Sequence, residues 1–159
     1  MRLFLALWPP AATAAALQAW ASQLDGRPTR SENIHLTLAF LGEADEAKAS
    51  AAATRVTGRK HDLPIEHAEY WRHNQIVWVG PGRTPPLLED LVKSLHGELR
   101  AGNLVLEDRP FAAHVTLLRK AKRPAAFPAL PAVEWPVDEF SLVASVHGRY
   151  RVLETFQLR

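Results

Sequence analysis

A two-lobed fold of mixed strands and helices is predicted by three features of this sequence. The same order of elements occurs twice: an apolar strand-like run, a proline break, a helix-like stretch, a loop, and a strand carrying histidine and threonine two residues apart. The first unit runs from "LFLALW" to "IHLTLAFLG" and the second from "IVWVG" to "AAHVTLLRK", with 30 residues from Leu5 to His35 and 37 from Val77 to His114. The length of 159 residues suits one ordinary domain, so residues 1–159 are expected to form two similar lobes sharing a core, each giving one His-x-Thr strand to a common groove.

Each element has a local reason. Residues 2–8, "RLFLALW", read as a short buried strand closed by Pro9 and Pro10, after which Leu17, Trp20 and Leu24 recur at helical spacing. A polar loop, "DGRPTRSEN", leads into "IHLTLAFLG", a strand stopped by Gly42. Residues 45–57 are Ala-rich and predict a helix ending at Gly58. "LPIEHAEYW" and "QIVWVG" read as two strands joined by a turn at "RHN". After "PGRTPP", the residues Leu87, Leu88, Leu91, Val92, Leu95 and Leu99 make one apolar helix face, with Gly102 as its stop. A charged loop, "EDRPF", precedes "AAHVTLLRK". The chain closes with a Pro-rich connector over residues 124–136 and a hairpin, "EFSLVASV" and "YRVLETFQL", turning at His147 and Gly148.

Composition removes several classes of function. Hydrophobic residues at 47% and charged residues at 23% exclude a disordered chain. A net charge of +2 does not demand a polyanionic partner, although a local basic patch attracts one. With no cysteine, disulfides, thiolate nucleophiles and Cys-ligated zinc are ruled out, and a reducing cytoplasm fits. The opening "MRLFLALWPPAATAAALQAWA" imitates a secretory signal, but its apolar run before Pro9 spans only about six residues, against 7 to 15 in a signal core. No stretch reaches the roughly 18 apolar residues that cross a bilayer, so no membrane partner is expected.

Along a strand, residues two apart share a face. His35 and Thr37 therefore point together, as do His114 and Thr116, while Leu36, Leu38, Val115 and Leu117 point into the lobes. Two imidazoles and two hydroxyls converging across a groove suit in-line displacement at a phosphodiester. One neutral imidazole takes a proton from the attacking water, and the other, protonated, gives one to the leaving oxygen. Threonine hydroxyls donate to the non-bridging oxygens, and no metal is required. A lone histidine on a strand is more often part of the core. Seven histidines and eight threonines give about a third of one His-x-Thr by chance, so two in equivalent places of a repeated unit favour catalysis.

At these residues the sequence resembles a known family. "IHLTLAFLG" and "FAAHVTLLR" look like the paired His-x-Thr-x signatures of the 2H phosphoesterases. The flanks "MRLFLALWPP", "VWVG" and "EDRPFAAHVTLLR" resemble its RNA 2′,3′-cyclic phosphodiesterase branch, also called 2′-5′ RNA ligase-like. The resemblance runs from Met1 to the final strand. It implies a bilobal α+β fold with pseudo-twofold symmetry and mainly antiparallel sheets, and hydrolysis of terminal 2′,3′-cyclic phosphate on RNA to a 2′-phosphate, with reverse ligation also associated. By that resemblance His35 is the general acid for the O3′ leaving group and His114 the general base for water. Thr37 and Thr116 then hold the phosphate, and Arg119 contacts it. No cofactor is expected, and a monomer is the default. Strict alternation from His114 puts Arg119 on the far face unless the strand ends or bulges first. The turn in "ASVHGRY" is shorter than the family's, which leaves substrate contacts from it open.

Other candidates have plain readings beside functional ones. His61, His67, His73, His96 and His147 lack ligand-like spacing, and His96 falls on the polar side of the leucine-rich helix, where it is expected to be solvated. "RKAKR", residues 119–123, is either a steering patch for RNA or a solvated loop. Tyr70, Trp71, Trp78 and Phe111 are either a stacking face or core. Asp108 and Arg109 are candidates to orient His114, although a backbone carbonyl serves as well. Two rival functions stand beside the RNA phosphodiesterase: an RNA-binding module without turnover, and a cyclic phosphodiesterase for a small nucleotide such as ADP-ribose cyclic phosphate. A basic open groove favours RNA, and a closed pocket favours the small molecule.

Overall fold

Proline removes a backbone donor, and both central strands of the molecule stop where proline follows. In the computed structural model, which describes residues Met1–Arg159, the chain begins with β1 (Arg2–Leu7), α1 (Ala11–Ala21), β2 (Arg27–Pro28), a 3-10 turn (Ser31–Asn33), β3 (Leu36–Glu43) and α2 (Glu46–Thr54). It continues with β4 (His61–Asp62), β5 (His67–Trp71), β6 (Ile76–Gly80) and α3 (Pro86–Ala101), and ends with β7 (Val115–Arg119), β8 (Pro136–Val137), β9 (Glu139–Val146) and β10 (Arg149–Gln157).

The two sheets repeat one plan. One has the order β10-β9-β1-β3 and the other β2-β7-β6-β5, with β4 and β8 forming a separate two-stranded sheet. Every pairing is antiparallel. In each lobe an apolar strand, β1 or β6, sits directly beside the strand of the His-x-Thr motif, β3 or β7. The expected α+β duplication is thus the architecture of the chain.

The helices tie the lobes together. α1 follows β1 but packs on β7 of the other sheet, and α3 follows β6 but packs on β3. A single cluster of 34 buried residues results, drawing Leu3, Leu5 and Leu36 from one lobe and Val77, Val115 and Leu117 from the other. At about 25 cal/mol per Å² of buried apolar surface, this shared core holds the groove between the lobes at a fixed width.

Local chemistry explains the element ends. α3 starts with Pro85 and Pro86, where the missing N–H costs nothing, and buries Leu88, Leu91, Val92, Leu95 and Leu99. Its stop differs from expectation. Gly102 keeps φ −83°, and the left-handed residue is Asn103 (φ 63°), with Leu104 N bonded to Leu99 O and Asn103 N to Arg100 O, both at 3.0 Å. The Asp45 carboxylate caps α2 by accepting from Lys48 N at 2.9 Å, and the helix ends at Thr54 rather than at Gly58 because β-branched Val56 and Thr57 follow. Leu24 lies beyond α1 instead of within it, half-buried against the core. The stretch read as plain loop contains β2, and "LPIE" stays outside β5. The terminal hairpin turns as expected, with His147 and Gly148 both at positive φ (52° and 75°).

Candidate active site

Both histidines stand one residue before their strands, and both strands carry the same irregularity. Against β1, Ala39 pairs with Leu5 and Thr37 with Ala6, which leaves Leu38 as an extra residue. Against β6, Leu118 pairs with Val77 and Thr116 with Trp78, which leaves Leu117 extra. Each motif strand therefore bulges immediately after its threonine. A bulge reverses the alternation, so two consecutive residues turn into each lobe: Leu38 and Ala39 are 1% and 6% exposed, and Leu117 and Leu118 both 0%. Residues Phe40 and Arg119 then return to the face of the histidines, which is how Arg119 reaches the groove despite its odd spacing.

The groove between the sheets, about 560 Å³, is lined by His35, Thr37, His114, Thr116 and Arg119. All five side chains singled out from the sequence thus share one cavity. Each imidazole is held in the same way: His35 Nδ1 is 2.7 Å from Asn33 O, and His114 Nδ1 is 2.8 Å from Ala112 O. A carbonyl only accepts, so Nδ1 carries the hydrogen on both rings, and each Nε2 is left to do chemistry. Asp108 and Arg109 do not orient His114; Arg109 is paired with Glu107 at 2.6 Å, and the Ala112 carbonyl serves instead. Thr37 Oγ lies 3.0 Å from His35 Nε2 and donates to it while that nitrogen is unprotonated.

Electrostatics favour neutral rings. Burial is the largest influence on His35 and holds its pKa below the ordinary histidine value; the bond to Asn33 O opposes this, and the charges of Arg119 and His114 lower it further. His114 is lowered by burial first, against the bond to Ala112 O, with Arg109 and Arg119 adding to the depression. Aromatic rings do the burying. Phe4, Trp8 and Tyr150 stand 5.2, 5.1 and 5.3 Å from the His35 ring, and Trp71 stands 4.8 Å from that of His114.

Other residues fall differently from expectation. Of "RKAKR", only Arg119 lines the groove; Ala121 is buried and Lys122 pairs with Asp25 at 3.5 Å. Among the four aromatics, Trp71 and Phe111 face the groove, whereas Trp78 packs against Trp71 and the Tyr70 hydroxyl donates to Ala121 O. His96 is not simply solvated. Its Nε2 donates to Leu38 O at 2.9 Å, the carbonyl of the bulged residue. Three groove residues lacked a signal in their own neighbourhood: Arg27 and Arg30 in what reads as a loop, and Tyr150, whose only cue is an aromatic beside a hairpin turn. His61 Nδ1 is bonded to Arg59 O and His67 to Glu69, and no three His, Asp or Glu side chains gather where a metal ion fits.

Known proteins are similar to this chain in sequence and fold. A family model described as LigT like phosphoesterase matches residues 7–78. The RNA 2′,3′-cyclic phosphodiesterase of Escherichia coli (strain K12) is 35% identical over 163 residues, covering 97% of this chain and 92% of that protein. The protein of the same name from Thermus thermophilus is 34% identical over 183 residues, covering 100% of this chain and 91% of its own. The crystal structure of E. coli LigT complexed with 3′-AMP superposes with a TM-score of 0.89 at 32% identity, over 99% of this chain and 97% of that one.

Proposed function

Because the chain belongs to the LigT-like phosphoesterases of the 2H superfamily, we propose that it opens terminal 2′,3′-cyclic phosphates on RNA to leave a 2′-phosphate. It is a phosphoric diester hydrolase, an RNA 2′,3′-cyclic phosphodiesterase. The observation that carries the mechanism is the pair of imidazoles in one groove, each with Nδ1–H spent on a backbone carbonyl, so that chemistry falls to Nε2, which on His35 meets only the Thr37 hydroxyl.

In this mechanism the Nε2 of neutral His114 takes a proton from water as the water oxygen attacks phosphorus. The P–O3′ bond breaks, and O3′ takes the proton from Nε2 of protonated His35. Two arginines bear on His114 and favour its neutral form, which supports it as base. His35 is the acid by the family resemblance, and the negative charge of an entering substrate phosphate offsets the depression of its pKa and lets the ring carry its proton. Thr37, Thr116 and Arg119 hold the non-bridging oxygens, where negative charge grows. No step needs a metal or a cofactor. The groove is complete within one chain, which supports action as a monomer. No helix is long and apolar enough to cross a membrane, and a chain without cysteine suits the cytoplasm.

The test offers an oligonucleotide ending in a 2′,3′-cyclic phosphate to wild type, His35→Ala and His114→Ala. Each substitution lowers kcat by about 10²- to 10⁴-fold, EDTA leaves the wild-type rate unchanged, and the product carries its phosphate on O2′. A substrate with sulfur in place of O3′ needs no acid, so it restores turnover to His35→Ala alone. Wild-type turnover in both variants refutes the site, and rescue of His114→Ala instead reverses the two roles.

A further inference from the structure

The short strand β2 places Arg27 directly opposite Arg119 of β7. Residues facing each other across antiparallel strands point the same way, and like charges so placed repel. Neither guanidinium has an acidic partner, whereas the other two arginines of the groove do: Arg30 lies 3.9 Å from Glu32, and Arg109 is paired with Glu107. The repulsive pair is held rigidly. Thr29 N donates to Leu117 O at 2.9 Å and Thr29 Oγ to Thr116 O at 3.1 Å, both on the motif strand itself, and Lys122 N donates to Asp25 O at 3.0 Å on the other side. Gly26 lets the strands lie flush, since a Cβ there would stand 2.8 Å from Leu118 Cγ.

An enforced pair of uncompensated cations on a groove wall is matched by an anion between or along them. Arg119 faces the reacting phosphate, and Arg27 stands one strand further out, about 4.8 Å away. We propose that Arg27 binds the phosphodiester on the 5′ side of the nucleotide bearing the cyclic phosphate, so that this groove selects a polynucleotide end over a free cyclic mononucleotide. This assignment rests on the phosphodiesterase function above and adds to it the residue by which the groove reads the chain beyond the terminal nucleotide.

The experiment compares kcat/KM on a nucleoside 2′,3′-cyclic phosphate, which has no 5′ phosphate, with that on a short oligonucleotide ending in the same group. Wild type, Arg27→Ala and Arg27→Lys are assayed at several salt concentrations, with circular dichroism confirming the fold. The oligonucleotide-to-mononucleotide ratio falls about tenfold or more in Arg27→Ala, the scale of one charge-assisted hydrogen bond, and recovers in part in Arg27→Lys. The salt slope for the oligonucleotide falls by about one. An unchanged ratio, including equal loss on both substrates, overturns the proposal. Wild type inactive on both substrates refutes the parent function, and this inference falls with it.

Discussion

Replacing Gly80 with alanine tests whether the lobe behind His114 holds that imidazole in place. Gly80 ends β6 and is buried, and a Cβ added there would stand 2.6 Å from Ala113 O. Carbon and carbonyl oxygen approach comfortably to about 3.3–3.6 Å, so the Ala113 peptide must retreat by about 0.7–1.0 Å. The obstacle is backbone, and no side-chain rotation relieves it. Ala113 lies between Ala112, whose carbonyl holds Nδ1, and His114 itself, so the retreat carries the His114 ring with it. Overpacking of this kind costs about 1–3 kcal/mol, a loss of about 2–12 °C in Tm for a chain of this size. Displacing a catalytic group by nearly 1 Å lowers kcat on the order of 10²-fold. Calorimetry and turnover of a cyclic-phosphate oligonucleotide read the two effects. Gly97→Ala is the control: it sits exposed within α3, its Cβ would meet nothing within 4 Å, and it gains about 0.5–1 kcal/mol with activity intact. Wild-type kcat in Gly80→Ala alongside a lowered Tm refutes the idea that this contact positions His114.

Acid–base behaviour supplies two more expectations. The proposed mechanism needs one imidazole neutral and one protonated, and both pKa values lie below the ordinary 6.5, so kcat/KM is expected to follow a bell in pH whose maximum falls below pH 6.5; a profile that rises steadily through pH 8 contradicts it. Stability has the matching sign. Unfolded His35 binds its proton at about 6.5 and folded His35 only at lower pH, so stability present above pH 6.5 is lost as pH falls from there through the folded value. The urea midpoint of wild type therefore drops more between pH 7.5 and 5.5 than that of His35→Asn, and equal drops count against a depressed His35.

Several features are legible in the string because they are written locally. Period-two alternation, proline punctuation and the leucine spacing of residues 87–99 locate most strands and the longest helix. The repeated His-x-Thr spacing picks out four side chains that line one groove, and the family resemblance adds Arg119 to them. The end of α2 and the placing of Leu24 mislead for a local reason as well: helix propensity extends past the point where β-branched or turn-forming neighbours end the helix.

What stays hidden depends on partners distant in sequence. A backbone carbonyl exists at every residue, so nothing in the string marks those of Asn33 and Ala112 as the supports of two imidazoles. The bulges at Leu38 and Leu117 arise only when β3 and β7 must align with β1 and β6, and the second of them turns Arg119 into the groove. β2 is two residues long and becomes a strand only because β7 offers it an edge, which sets Arg27 against Arg119. Which groups are the candidates for the chemistry is thus written in the chain itself, since their type and two-residue spacing are local properties. How they meet is a result of folding, because the crossing of α1 and α3 between lobes, which closes the groove around both motifs, is a matter of packing and not of any local pattern.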